Sequence, residues 1–212
     1  MNLALDFGES KPEKALAPAR NPLARTDSSL ERVVETFEAM HATPDSPITA
    51  IRRQPAREAE FVDLPATVDD RLGNALRKRG VEQLYSHQGE AFRQIQDGNN
   101  VVIVTPTASG KTLCYNLPVL NALLSDPDAC ALYLFPTKAL SEDQLSAFNE
   151  MVDSMGSDIR AFTYDGDTPG DARRAIRRRA NVVLTNPDML HAGVLPHHTK
   201  WARFFEKLQY IV

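Results

Sequence analysis

Cysteine is nearly missing from this chain: Cys114 and Cys130 are the only two in 212 residues. A disulfide scaffold is excluded, and so is a zinc site built on clustered thiolates. Both read as ordinary buried thiols, one in a helix and one opening a strand. No apolar run approaches the roughly 20 residues that span a bilayer. Asp6 and Glu9 interrupt the N-terminal stretch where a secretory signal would be continuously apolar, so a cytoplasmic location is expected. Basic charge is not in excess either, since 24 Lys and Arg against 28 Asp and Glu leave a net charge of -4. No global positive field marks a nucleic-acid partner, and any such contact must be local.

Proline is unevenly spread. Residues 1–66 hold seven of the fourteen prolines and three aromatics, which reads as a loosely ordered N-terminal extension preceding a domain at 67–212. One island inside it, Ser28 to His41, opens on a capping box of Ser28 with Glu31 and sets Leu30, Val33, Val34, Phe37 and Met40 on one helical face. Two readings stay open for it: a docking helix for another protein or the remainder of a larger one, and a helix packed on its own domain.

From Val68 onward, strand and helix patterns alternate. Helices are expected near 68–79, 87–96, 138–154 and 169–179, and strands at 101–104, 131–135, 159–164, 181–185 and 208–212. That order predicts an α/β fold, a parallel sheet with helices on both faces. Ligands of such sheets bind beyond the carboxyl ends of the strands, so the segments after each strand carry the functional information.

After the first of them comes TPTASGKT. The phosphate-binding pattern GxxxxGK[ST] opens on glycine; here that position holds Thr105, followed by Pro106. The rest of the pattern is intact. Backbone N–H groups from about Ala108 through Ser109 and Gly110 to Thr112 line a nest at a helix N-terminus, with Thr107 in the same nucleotide-binding loop, and Gly110 allows close approach. The Lys111 ammonium reaches the β- and γ-phosphates, while the Thr112 hydroxyl is placed to ligate magnesium. The helix that follows contains Pro118 as a kink point. Upstream, in LYSHQGEAF, the Gln88 amide offers the donor and acceptor that match adenine N6 and N7, and Tyr85 would wall or stack on the base.

In this order, LYSHQ, TPTASGKT, FPTKAL, YDGDTP and TNPDML resemble the Q motif, motif I, motif Ia, the glycine segment and motif Ib of superfamily 2 helicases, the DEAD/DEAH-box class. The resemblance covers residues 84–212 and implies the first RecA-like P-loop NTPase lobe of an ATP-dependent helicase. LYSHQ, LCYNLPVL, YDGDTP and TNPDMLH look most like the mitomycin-repair and RecQ-four-like DNA helicase branch, which implies DNA repair. ATP and Mg2+ are the ligands it implies. Single-stranded nucleic acid, DNA by this branch, would run over Pro136, Thr137, Lys138, Gly166, Thr185 and Asn186. Hydroxyl, amide, ammonium and backbone donors of that kind suit phosphate oxygens and carry no base code; turn and cap roles suit the same residues.

Five arginines lie within residues 171–179, either a phosphate grip or a solvated helix face. His197 and His198 have no ligand partners at metal spacing and read as a loop. The resemblance places an Asp-Glu pair at the tip of the strand LQYIV, where the sequence stops at Val212, so the chain is expected to be a catalytically incomplete fragment. Two other classes stay open: a non-catalytic nucleotide-dependent docking module, and a motor fragment of a restriction or translocase system.

Overall fold

The computed structural model describes residues 28–52 and 58–212. The reading of residues 1–66 as a loosely ordered extension falls in part on 1–27 and 53–57, outside the described residues. Helix α1, Ser28–His41, forms over the expected span. Its apolar stripe is open to solvent, with Leu30, Phe37 and Val33 all exposed.

The unit from Glu58 onward is built on a four-stranded parallel sheet. In chain order come β1 (Phe61–Asp63), α2 (Asp70–Lys78), β2 (Gln83–Tyr85), α3 (Ser86–Gln96), α4 (Lys111–Ser125), β3 (Cys130–Leu134), α5 (Lys138–Met155), β4 (Ala161–Thr163), α6 (Gly170–Arg179) and β5 (Val182–Thr185). A short α7 (Pro187–Met189), a π turn, a 3-10 run, α8 (Ala202–Glu206) and β6 (Leu208–Ile211) complete it. The sheet order is β4-β5-β3-β6, and Ala131 faces Val182 across β3 and β5 as Ala161 does across β4 and β5. α4 runs continuously through the buried Pro118.

Side chains alternate across a strand, and here the alternation separates two cores. Ala131, Tyr133, Val182 and Leu184 point to one face, against Leu72, Phe92, Leu117 and Phe148 from α2 to α5. Cys130, Leu132 and Val183 point to the other, against Ile176, Trp201 and Phe204. Trp201 anchors that second core edge-on to Tyr164, with ring centroids 4.8 Å apart. Both faces are therefore covered, as the sequence predicts. Cys114 and Cys130 are free, buried thiols.

Buried amides tie the layers together. The Asn121 side chain accepts from Asp69 N–H at 2.7 Å and donates to the Thr67 carbonyl at 3.1 Å, fixing the start of α2 on α4. Each such group is satisfied at both ends, which is the condition for burying it without penalty.

Two elements differ from expectation. Residues 101–104 are not a strand, and Val102 and Val104 are each 89% exposed. An apolar run becomes a strand only beside a hydrogen-bonding neighbour, and among the described residues none pairs with this one. A cavity of about 600 Å3 lies between it and the outer edge of β6, lined by Val101, Val102, Ile103, Tyr210 and Ile211. The second difference is a two-stranded antiparallel ladder, β1 with β2 across the intervening α2, in which Phe61 pairs with Tyr85. His197, read as loop, sits in the 3-10 run Leu195–Trp201 at a residue with φ -114 and ψ 26, where the helical path breaks. Among the described residues no helix is long and apolar enough to cross a membrane.

Candidate nucleotide and nucleic-acid site

The loop from Thr105 to Thr112 enters α4 through two left-handed residues, Ala108 at φ 61 and Gly110 at φ 76. Alanine pays about 1–2 kcal/mol for that conformation, so the surroundings must hold it. A Cβ on Gly110 would meet Gln88 Nε2 at 2.5 Å, which leaves glycine as the residue that fits. Gly110 is also the residue before the first helical turn, and no side chain caps it. The Lys111 and Thr112 N–H groups thus face outward from a helix N-terminus, where an anion is favoured.

Within the loop, the Thr105 and Ser109 hydroxyls share a 2.6 Å hydrogen bond. The Lys111 ammonium donates to the Thr105 carbonyl at 2.9 Å and the Pro106 carbonyl at 2.7 Å, so the lysine folds over its own loop. The Tyr115 hydroxyl lies 3.4 Å from Thr112 Oγ1, and burial pushes this phenol's pKa up.

Gln88 is only 4% exposed. Its Oε1 accepts from Tyr85 N–H at 2.9 Å and its Nε2 donates to the Gly110 carbonyl at 2.9 Å. One N–H and one lone pair remain for a ligand. His87 reaches the same loop, with Nε2 3.0 Å from the Ser109 carbonyl. Beside them opens a cavity of about 430 Å3, lined by Phe61, Tyr85, Gln88, Gly110, Thr112 and Leu113 among others. Phe61 and Tyr85 stack with centroids 5.1 Å apart and planes 24° off parallel. An apolar, aromatic-walled space of this size next to an anion nest fits a nucleotide, base in the cavity and phosphates on the loop.

Sequence reasoning missed Phe61 and His87. The signal for Phe61 was the pair Phe61-Val62 before Leu64-Pro65, hidden in the proline-rich stretch; His87 was read only as part of LYSHQ.

At the carboxyl ends of β3, β4 and β5 the other predicted residues come together. Thr137 caps α5, its Oγ1 accepting from Leu140 N–H at 3.3 Å. Lys138, the first residue of α5, is ion-paired with Asp167 and lies 3.9 Å from Asp165 Oδ2. That hydrogen bond raises the Lys138 pKa and holds the Asp167 carboxyl below its ordinary range. Pro136 and Gly166 are exposed, and Asn186 caps α7 by accepting from Met189 N–H at 2.7 Å. Thr185 differs: it is 2% exposed and its hydroxyl donates to the Tyr164 carbonyl at 2.6 Å, so its side chain braces β4 against β5. Arg173 is likewise occupied, donating to the Thr168, Asp165 and Gly166 carbonyls from 2.8 to 3.1 Å and lying over the Tyr164 ring. It shapes the YDGDTP loop. Among the described residues no cluster of three or more His, Cys, Asp or Glu is arranged to hold a metal.

Known proteins resemble this chain in sequence and in fold. The chain is 56% identical over 156 residues to the uncharacterized ATP-dependent helicase YprA of Bacillus subtilis, covering 74% of this chain and 21% of that protein. It is 40% identical over 166 residues to the ATP-dependent helicase hrq1 of Schizosaccharomyces pombe, covering 77% of this chain and 16% of that protein. The crystal structure of the DUF1998 helicase MrfA bound to DNA and AMPPNP superposes with a TM-score of 0.72 at 56% identity, over 73% of this chain and 22% of that one. The chain therefore spans about a fifth of the length of these relatives. The unit from Glu58 onward is a RecA-like lobe. With residues 85–212 matching the family described as DEAD/DEAH box helicase, the chain belongs to that family.

Proposed function

We propose that this chain is the ATP-binding lobe of an ATP-dependent DNA helicase. The observation that carries the reading is the joining of a base-sized aromatic cavity to an uncapped helix N-terminus by Gln88, which touches both. Phe61 and Tyr85 would hold the base, Gly110 and Lys111 the phosphates, and the Thr112 hydroxyl a magnesium ion. That ion would supply neutralising charge to the phosphates. Lys111 must exchange its two loop carbonyls for phosphate oxygens when the nucleotide enters.

The strand path runs over Pro136, Thr137, Lys138, Gly166 and Asn186, with contacts to phosphate and none to base edges. Binding is then sequence-tolerant and salt-dependent. DNA is favoured over RNA by the likeness to MrfA, whose structure was solved with DNA. Titration of fluorescent ATP and of labelled single-stranded DNA tests both halves. Lys111→Ala is expected to weaken the first by about two orders of magnitude and leave the second, and an unchanged ATP affinity would overturn the proposal.

A second reading, docking of a protein partner through α1, is favoured by one observation: Leu30, at 67% exposure, heads a stripe of exposed apolar residues. Replacing Leu30, Val33 and Phe37 with serine tests it, since nucleotide binding should persist while association with a partner is lost.

A further inference from the structure

Two adjacent residues of α3 hold the phosphate loop from behind. Gln88 Nε2 donates to the Gly110 carbonyl and His87 Nε2 lies 3.0 Å from the Ser109 carbonyl. A carbonyl accepts and cannot donate, so His87 carries a proton on Nε2. A trans peptide is planar, with its C=O and N–H pointing in opposite directions. Pulling the Ser109 carbonyl toward α3 therefore turns the Gly110 N–H away from α3, and pulling the Gly110 carbonyl does the same to the Lys111 N–H. Those two N–H groups belong to the nest that faces the phosphates.

Gln88 already has a role in the reading of LYSHQ, at the adenine; His87 has none. We propose that His87 is a positioning residue for the phosphate cradle: its Nε2–H fixes the Ser109–Gly110 peptide so that the Gly110 N–H is presented to the nucleotide's phosphates. The loop has need of such a brace, because Ala108 and Gly110, at φ 61 and 76, put two left-handed residues within three. The imidazole in turn is held by stacking. It lies 5.7 Å from the Tyr85 ring at 10°, and Tyr85 lies 5.1 Å from Phe61 at 24°. A ladder of three rings thus runs from the base cavity to the phosphate loop. Seating a base against Phe61 and Tyr85 steadies the ring that orients the donor, so the base and phosphate halves of the site are coupled through His87.

The inference rests on the phosphate-loop reading above, and its test separates the two. His87→Phe keeps a ring to stack on Tyr85 and removes the donor; His87→Gln restores an amide donor at similar reach. Affinities for ATP, ADP and adenosine are measured for wild type, both variants and Lys111→Ala, alongside thermal unfolding. His87→Phe is expected to weaken ATP and ADP about tenfold, the scale of one lost hydrogen bond, and to leave adenosine unchanged. His87→Gln should recover most of the loss. Should phenylalanine prevent folding, His87→Asn, whose shorter amide stops short of Ser109, makes the same comparison. Equal weakening of adenosine, or no weakening of ATP, overturns the positioning role. An unchanged ATP affinity in Lys111→Ala overturns the phosphate-loop reading itself, and the proposal with it.

Discussion

Phe61→Ala probes the wall of the nucleotide cavity. The ring stacks on Tyr85 on one side and is 53% exposed, so roughly half of its surface is open to be covered by a ligand. A phenylalanine presents about 150–250 Å2, which leaves about 100 Å2 for a base. At about 25 cal/mol per Å2 the ceiling is about 2.5 kcal/mol, and partial coverage brings the expected loss to about 1–2.5 kcal/mol. In Kd this is about five- to seventyfold. Because the ring is half open in the free protein, folding should suffer less than binding; the lost stack with Tyr85 is worth about 0.5–1.5 kcal/mol. Isothermal titration with ATP, paired with urea unfolding, separates the two effects. Phe61→Tyr serves as the control that keeps a ring. If Phe61→Ala binds ATP as tightly as wild type while remaining folded, the base does not sit in this cavity, and the stacking argument is refuted.

Three further perturbations address other parts of the molecule. Lys111→Ala is expected to lower ATP affinity by about two orders of magnitude, the scale of two charge-assisted hydrogen bonds of about 1.5 kcal/mol each, and to spare adenosine; equal loss for both ligands would place the ammonium away from the phosphates. Lys138→Ala should reduce the slope of log affinity against log salt for single-stranded DNA by about 0.7 without altering base preference, and Asp167→Asn, which releases the ammonium from its carboxylate, should strengthen binding. Anisotropy at several salt concentrations reads both, and unchanged values in the two variants would remove Lys138 from the strand path. Trp201→Ala should destabilise the unit by about 3–5 kcal/mol, because the ring is 1% exposed. Trp201→Phe should lose less than about 1.5 kcal/mol, since the indole N–H has no partner among the described residues and its removal relieves an unpaired donor. Denaturant unfolding decides, and equal losses would mean that the second core does not depend on this ring.

What the sequence made legible follows from how each element is stabilised. β3 and β5 stood out because parallel strands covered on both faces must be apolar, and α5 and α6 because their apolar residues recur at helical spacing. The loop proposed to hold phosphate could be picked out without a leading glycine, since Gly110, Lys111 and Thr112 offer the backbone conformation and the charge. The run 101–104 has the composition of a buried strand, yet composition says nothing of a neighbour to pair with, and Val102 and Val104 are left outside. The β1–β2 pair escaped notice because strands of three residues are too short to show a period, and with it went Phe61. Thr185 and Arg173 illustrate another limit. A hydroxyl or guanidinium in a motif advertises donors, but only the fold shows that Thr185 spends its donor on the Tyr164 carbonyl and Arg173 its own on the next loop.

The open edge of β6 bears on how the purified chain would behave in solution. Ile211 is 66% exposed there, across the cleft from the bare Val102, and an edge that no strand among the described residues pairs with, beside apolar side chains, invites a visiting strand. The segment 101–104 leads without a break into Thr105, where the phosphate loop begins. Whatever seats that segment in a sheet also stiffens the entrance to the loop. Self-association through this cleft and nucleotide affinity are therefore linked quantities: a concentrated preparation should bind ATP more tightly than a dilute one, and ATP should in turn shift the sedimentation of the chain.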